Sequence, residues 1–215
     1  PQGSRAPFGP RYGAVNSAAP RPALVHPVYR CGVLDLSASA SERLLSSAPD
    51  PELARVSLSR VAEDPAAREI LAGSDVLPVA ARLLGYSTSA TDFLVAHPGE
   101  AVALADVSAR ARSELEIELA GDVERLGLLE GLRRFRRRSM LRVAARDLSS
   151  APLEDIVSEI SDIAETCIAA ACADAAPSGD AGVALGERGG AELGYAADVD
   201  LVFGHDGSGP ERQEA

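Results

Sequence analysis

The chain has 215 residues, 46% hydrophobic and 25% charged, which suits one or two domains with room for a real core. Its formal net charge of −11 excludes a protein that holds nucleic acid by non-specific phosphate neutralisation. No run approaches the roughly 20 apolar residues of a membrane span and no secretory signal is visible, so a cytoplasmic protein is expected.

Aromatics make up only 4% of the chain and tryptophan is absent, so the core must be built from Leu, Val, Ile and Ala, a composition that favours helix packed on helix. Every basic residue is arginine, so a phosphate contact has to come from arginine or from backbone N–H groups. Cys31, Cys167 and Cys172 lack metal-binding spacing, and the last two fall in one alanine-rich helical pattern as buried free thiols.

Residues 1 to 36 are dense in Pro, Gly and Arg and read as a disordered leader, with His26 a solvent-exposed imidazole. From residue 37 to 124 the pattern is a helical scaffold of short, sharply punctuated segments. Ser41-Glu42 begins a short helix through Leu45. Asp50-Pro51-Glu52 is an N-cap acid followed by proline at the first helical position, with Leu53, Val56, Leu58 and Val61 as the apolar side. Asp64-Pro65 starts another helix, which Gly73 ends. Ser74 caps a segment through Leu84, closed by Gly85, and Thr88 to Val95 is stopped by His97-Pro98-Gly99. Gly99 to Val107 is a helical turn or loop. Ser108 to Asp122 alternates Glu114, Glu116 and Glu118 with Leu115, Ile117 and Leu119, and its neighbours favour a helix over a strand.

Residues 125 to 215 hold two long helices and a C-terminal α+β piece, so the chain is mainly α. Leu126 to Leu148 is amphipathic, with Leu128, Leu129, Leu132, Phe135, Met140, Leu141, Val143 and Ala144 on its apolar side. It carries Arg133, Arg134, Arg136, Arg137, Arg138, Arg142 and Arg146. Such a row is either a solvated face paired with neighbouring acids or a surface for phosphate or an acidic partner. Ser150 to Ala175 follows, with Pro152 in its first turn, Glu154 and Asp155 near its positive end, and Ile156, Ile160, Ile163, Ala164 and Ile168 at helical spacing.

The segment Gly182 to Asp206 carries the chemistry. An apolar run (Val183 to Leu185) leads into a glycine-rich turn, then a second apolar run in which Asp198 and Asp200 alternate with Val199 and Leu201. On a strand the two aspartates share one face, and paired carboxylates are hard oxygen ligands suited to Mg²⁺. An isolated pair of this kind is ordinarily a strand with one wet face; the glycines upstream shift the balance. Gly186, Gly189 and Gly190 let the backbone approach phosphate oxygens, with Arg188 as the nearby cation.

The order FRRRSMLRVAARDL, then ISDIAETCIAAA, then LGERGGAELGYAADVDLVF resembles the glutamine synthetase adenylyltransferase/adenylyl-removing enzymes, two-headed members of the nucleotidyltransferase superfamily. Their site reads approximately G-[KR]-x-G-G-x-E-L-x-[YF]-x-S-D-x-D. This chain supplies Gly186, Gly189, Gly190, Glu192, Leu193, Tyr195, Asp198 and Asp200 in that spacing. The resemblance spans about residues 37 to 206 and implies the N-terminal, adenylyl-removing half. It further implies a helical array followed by a nucleotidyltransferase-type sheet, Mg²⁺ on Asp198 and Asp200 as catalytic carboxylates, and phosphate or nucleotide on Gly186, Gly189 and Gly190, with Arg188, one residue past the family's basic position, as the substitute cation if the turn is rotated. Its implied substrates are glutamine synthetase, ATP or ADP and inorganic phosphate, with a PII signal protein as regulatory partner and neither nucleic acid nor membrane involved.

Three departures stand against an intact enzyme. Glu187 occupies the family's basic position, Ala197 replaces a serine, and no later strand supplies a third carboxylate. The sheet is therefore expected to be incomplete and the chain alone to have little or no activity. Two rival readings remain: a catalytically dead helical interaction module on the same scaffold, and a nucleotidyltransferase acting on a small molecule.

Overall fold

Residues 39–175, 181–185, 193–195 and 200–204 are described by a computed structural model, and all of them fall in one compact unit, Cys31–Ala215. The expectations for residues 1 to 36, His26 among them, and for Cys31 lie outside the described residues.

The described chain is mainly helical. Helices α1 (Ser39–Leu45), α2 (Pro51–Val61), α3 (Pro65–Leu71), α4 (Val76–Leu84) and α5 (Thr88–Ala96) lead through a 3-10 helix (Pro98–Leu104) to three longer ones. These are α6 (Arg112–Leu126), α7 (Leu128–Asp147) and α8 (Leu153–Ala175). The short helices begin where side chains satisfy the first free N–H groups. Asp50 accepts from Leu53 N–H at 2.9 Å, Asp64 accepts from the N–H groups of Ala66 and Ala67 at 2.9 and 3.0 Å, and Ser87 Oγ accepts from Ala90 N–H at 3.2 Å. Pro51, Pro65 and Pro98 occupy first turns, where the missing donor costs nothing.

Several expectations about ends and faces are corrected. Asp75, not Ser74, holds the cap position of α4, and Ser74 instead donates its hydroxyl to Asp75 at 3.3 Å. The helical turn expected from Gly99 is present as a 3-10 helix over Pro98–Leu104, whereas α6 starts at Arg112 rather than Ser108. The helix expected from Leu126 is broken at Gly127, whose φ of 79° reverses the chain between α6 and α7. Period-two alternation on α6 misassigns Ile117, which is 72% exposed, while Leu115 and Leu119, four apart, are buried. Val56 and Leu129 likewise face outward, and Ala54 and Ser57 take the buried side of α2.

Two hydrophobic clusters result. The first gathers α1 to α5 and the 3-10 helix around Leu58, Leu71, Leu84, Leu94 and Leu104, and receives Leu141 and Ala145 from α7. The second joins Leu115 and Leu119 of α6, Phe135 and Val143 of α7, and Ile156, Ile160 and Ile163 of α8. Helix α7 thus contributes to both cores, which is why its apolar residues do not form a single narrow stripe. The two described cysteines are free and half-buried, and burial pushes the Cys167 thiol up to about 11, which keeps it unreactive.

Beyond α8, strands β1 (Ala181–Leu185) and β2 (Asp200–Gly204) pair antiparallel, with Leu185 opposite Asp200 and Ala181 opposite Gly204. The rest of the expected α+β piece lies outside the described residues. No described helix is long and apolar enough to cross a membrane.

Candidate functional site

The arginine-rich helix α7 divides into two sets. Arg134, Arg138, Arg142 and Arg146 recur every fourth residue, lie on the inward side and are each paired with acid. Glu100, nearly buried on the 3-10 helix, lies 3.6 Å from Arg134 and 3.5 Å from Arg138. Arg138 also reaches Asp122 at 2.7 Å, and Arg142, only 3% exposed, meets Glu118 at 2.8 Å. Arg146 pairs with the buried Glu159 of α8. Stranding one member of such a buried pair costs about 3–5 kcal/mol, so these arginines are structural. The sequence held the signal on both helices: Glu118 and Asp122 share the four-residue spacing of the arginines they meet.

Arg133, Arg136 and Arg137 face out, and none of them has an ion-pair or hydrogen-bond partner among the described residues. The paired-face alternative therefore describes the inward row, while Arg133, Arg136 and Arg137 remain on the exposed part of the helix.

The glycine-rich segment touches the helices at Leu193 and Tyr195. Leu193 is 2% exposed within the second core, and its N–H donates to Ser161 Oγ at 3.2 Å. Ser161 in turn donates to Val157 O at 3.0 Å, so the side chain is held on α8 from both directions. The Tyr195 hydroxyl donates to Asp147 Oδ2 at 3.1 Å, at the end of α7. Burial, the hydrogen bond and the adjacent carboxylate all push the Tyr195 hydroxyl above its ordinary value, keeping it a protonated donor. Neither anchor was foreseen; the apolar Leu193 inside a polar turn was the available hint.

Among the expected site residues, Asp200 opens β2 with its backbone opposite Leu185, the residue that directly precedes Gly186. Gly186, Arg188, Gly189, Gly190 and Asp198, and the Asp200 side chain, lie outside the described residues. Among the described residues no group of three or more His, Cys, Asp or Glu could hold a metal. The donor set left for Mg²⁺ is the Asp198 and Asp200 pair, whose hard carboxylate oxygens fit that ion.

A family model described as glutamate-ammonia ligase adenylyltransferase matches residues 67–215. Among similar proteins are two named bifunctional glutamine synthetase adenylyltransferase/adenylyl-removing enzyme, from Mycobacterium avium (strain 104) and Mycolicibacterium paratuberculosis (strain ATCC BAA-968 / K-10). Each is 33% identical over 186 residues, covering 74% of this chain and 19% of the relative. The chain therefore spans about a fifth of the length of these relatives. No solved structure matches.

Proposed function

The chain belongs to the glutamate-ammonia ligase adenylyltransferase family, and on that premise we propose that it is part of an adenylyl-removing enzyme acting on glutamine synthetase. The observation that carries this is the anchoring of Leu193 and Tyr195 on α8 and α7, between the strands that flank the glycines and the aspartate pair.

In the reaction, an oxygen of inorganic phosphate attacks the phosphorus of the adenylyl group on a glutamine synthetase tyrosine. The bond to the tyrosine oxygen breaks, that oxygen takes a proton, and ADP leaves. Backbone N–H groups at Gly186, Gly189 and Gly190 cradle phosphate oxygens, with Arg188 as a further donor. Asp198 and Asp200 would hold Mg²⁺, which when bound neutralises phosphate charge and aligns the reacting oxygens. Nucleotide and phosphate are then the small-molecule partners, and a PII signal protein is a proposed regulatory one. Glu187 and Ala197 would slow the reaction without abolishing it, and because the chain spans about a fifth of the length of its relatives it is expected to be nearly inactive by itself.

The test supplies adenylylated glutamine synthetase, Mg²⁺ and phosphate to the 215-residue chain and to a longer form from the same gene, and measures ADP. The longer form should release ADP and the 215-residue chain little or none. The D198A/D200A change in the active form should lower the rate by roughly 10²–10³-fold, the scale of losing a transition-state charge stabiliser. Unchanged ADP release in that variant refutes the aspartate assignment. A longer form that binds glutamine synthetase yet never releases ADP would establish the interaction-module reading instead.

A further inference from the structure

Several clefts run along α7, and two of them differ in how their charge is balanced. The larger, of about 780 Å³, lies among the 3-10 helix, α6 and α7. Its five arginines, at 110, 125, 134, 138 and 142, each pair with a carboxylate, so it offers no spare cation. The smaller, of about 380 Å³, lies between α5 and α7, with Tyr195 at its edge. Arg136, Arg137, Ser87 and Ser89 supply its polar groups above a floor that includes Phe93 and Met140. No acid is among its described lining residues. In a chain of net charge −11, two arginines lining a cleft without a carboxylate make a local positive patch; the nearest described acids, Glu130 in the adjoining recess that Arg137 also lines and Asp147 behind Tyr195, are not paired with either arginine.

Tyr195, which belongs to the Gly182 to Asp206 segment, lines this cleft. Arg136 also borders Leu193, Gly194 and Tyr195 in a narrow recess on the other side of the same tyrosine. Asp198 follows Tyr195 by three residues, so no more than about 11 Å of chain separates them. The segment from Gly182 to Asp206 itself carries Glu187, Glu192, Asp198, Asp200 and Asp206 against the single arginine Arg188. The segment is net negative in sequence, and the described cations beside its Tyr195 are Arg136 and Arg137 of α7.

We propose that Arg136 and Arg137 form a phosphate-binding site beside the glycine-rich segment, recognising the phosphate group of a nucleotide or inorganic phosphate with their planar guanidinium forks. The proposal rests on the nucleotidyl-transfer reading for its role, while the binding itself is independent of turnover. Guanidinium groups suit this ligand because their N–H donors match phosphate oxygens in pairs.

Calorimetric titration of the 215-residue chain in Mg²⁺-free buffer, with inorganic phosphate, AMP and adenosine as probes, tests it. Phosphate or AMP should bind, and adenosine at least about tenfold more weakly. R136Q/R137Q should weaken the phosphate-bearing probe by roughly tenfold or more, and R136K/R137K should recover part of that loss. Arg125→Gln, an exposed change in the larger cleft and away from this one, should leave binding as it was, and thermal melting should show each variant folded. Loss for inorganic phosphate alone identifies the free ion as the ligand; loss for AMP identifies the nucleotide phosphate. Equal binding by R136Q/R137Q and the unaltered chain, or no binding of either phosphate probe to the unaltered chain, overturns the proposal. Weakened phosphate binding alongside unchanged ADP release by D198A/D200A would leave this site standing and the aspartate assignment refuted, and the converse separates them equally well.

Discussion

The Asp106 carboxylate accepts from the Ser108 hydroxyl at 2.6 Å and from the Ser108 N–H at 3.1 Å, while Arg110 reaches its other oxygen at 2.8 Å. The Ser108 hydroxyl is the largest influence, and the group is held down from 3.8 to about 2. A carboxyl depressed on folding stabilises the native state above the unfolded value and loses that contribution as pH falls through the folded one. The window here runs from about pH 4 down to about 2. Ser108→Ala should move the Asp106 titration upward, read by NMR of its carboxyl carbon, and should shrink the acid resistance of the fold within that window. An unmoved titration would assign the effect to Arg110 instead. Asp106 is exposed, so the change in stability should be small.

At the scale of elements, Gly121 and Gly131 make opposite demands. A Cβ at Gly131 would meet the backbone of Val123 at 2.8 Å and of Asp122 at 3.0 Å, so α6 and α7 approach here because that side chain is missing. A Cβ at Gly121 would meet nothing within 4 Å. Gly131→Ala should cost about 1–3 kcal/mol in urea unfolding, and Gly121→Ala, inside α6, should gain about 0.5–1 kcal/mol. A neutral Gly131→Ala would refute the claim of close approach. The same contrast explains what could be read in advance. The starts of α2, α3 and α5 follow from local capping chemistry, and the sequence displays it at Asp50, Asp64 and, through the residue before Thr88, at Ser87. Which glycine is a contact, and which arginine of α7 points inward, depends on helices brought together from elsewhere in the chain. The motif residues were legible as chemistry, but the anchoring of Leu193 needs α8 beside it before it has meaning.

For the molecule as a whole, α7 is shared property. Phe135 and Val143 fill one core while Leu141 and Ala145 fill the other. Removing the fully buried Phe135 ring should therefore loosen more than its own cluster. Phe135→Ala should cost about 3–5 kcal/mol, and hydrogen exchange should rise together in α2 and α8. Exchange rising in α8 alone would show two independently folding halves.

The paired arginines of α7 have one consequence for how this helix can diverge. An α-helix turns 3.6 residues per revolution, so a row spaced by four drifts about 40° per step. From Arg134 to Arg146 the row winds across the helix surface, from the 3-10 helix past α6 to α8. It works like a key cut to three locks at different angles. One residue inserted after Arg138 would turn everything downstream by about 100°, removing Arg142 and Arg146 from their acids and Leu141 and Val143 from their cores at once. Single side chains along α7 can be exchanged one at a time, whereas a change of length between Arg134 and Arg146 disturbs every downstream contact through rotation.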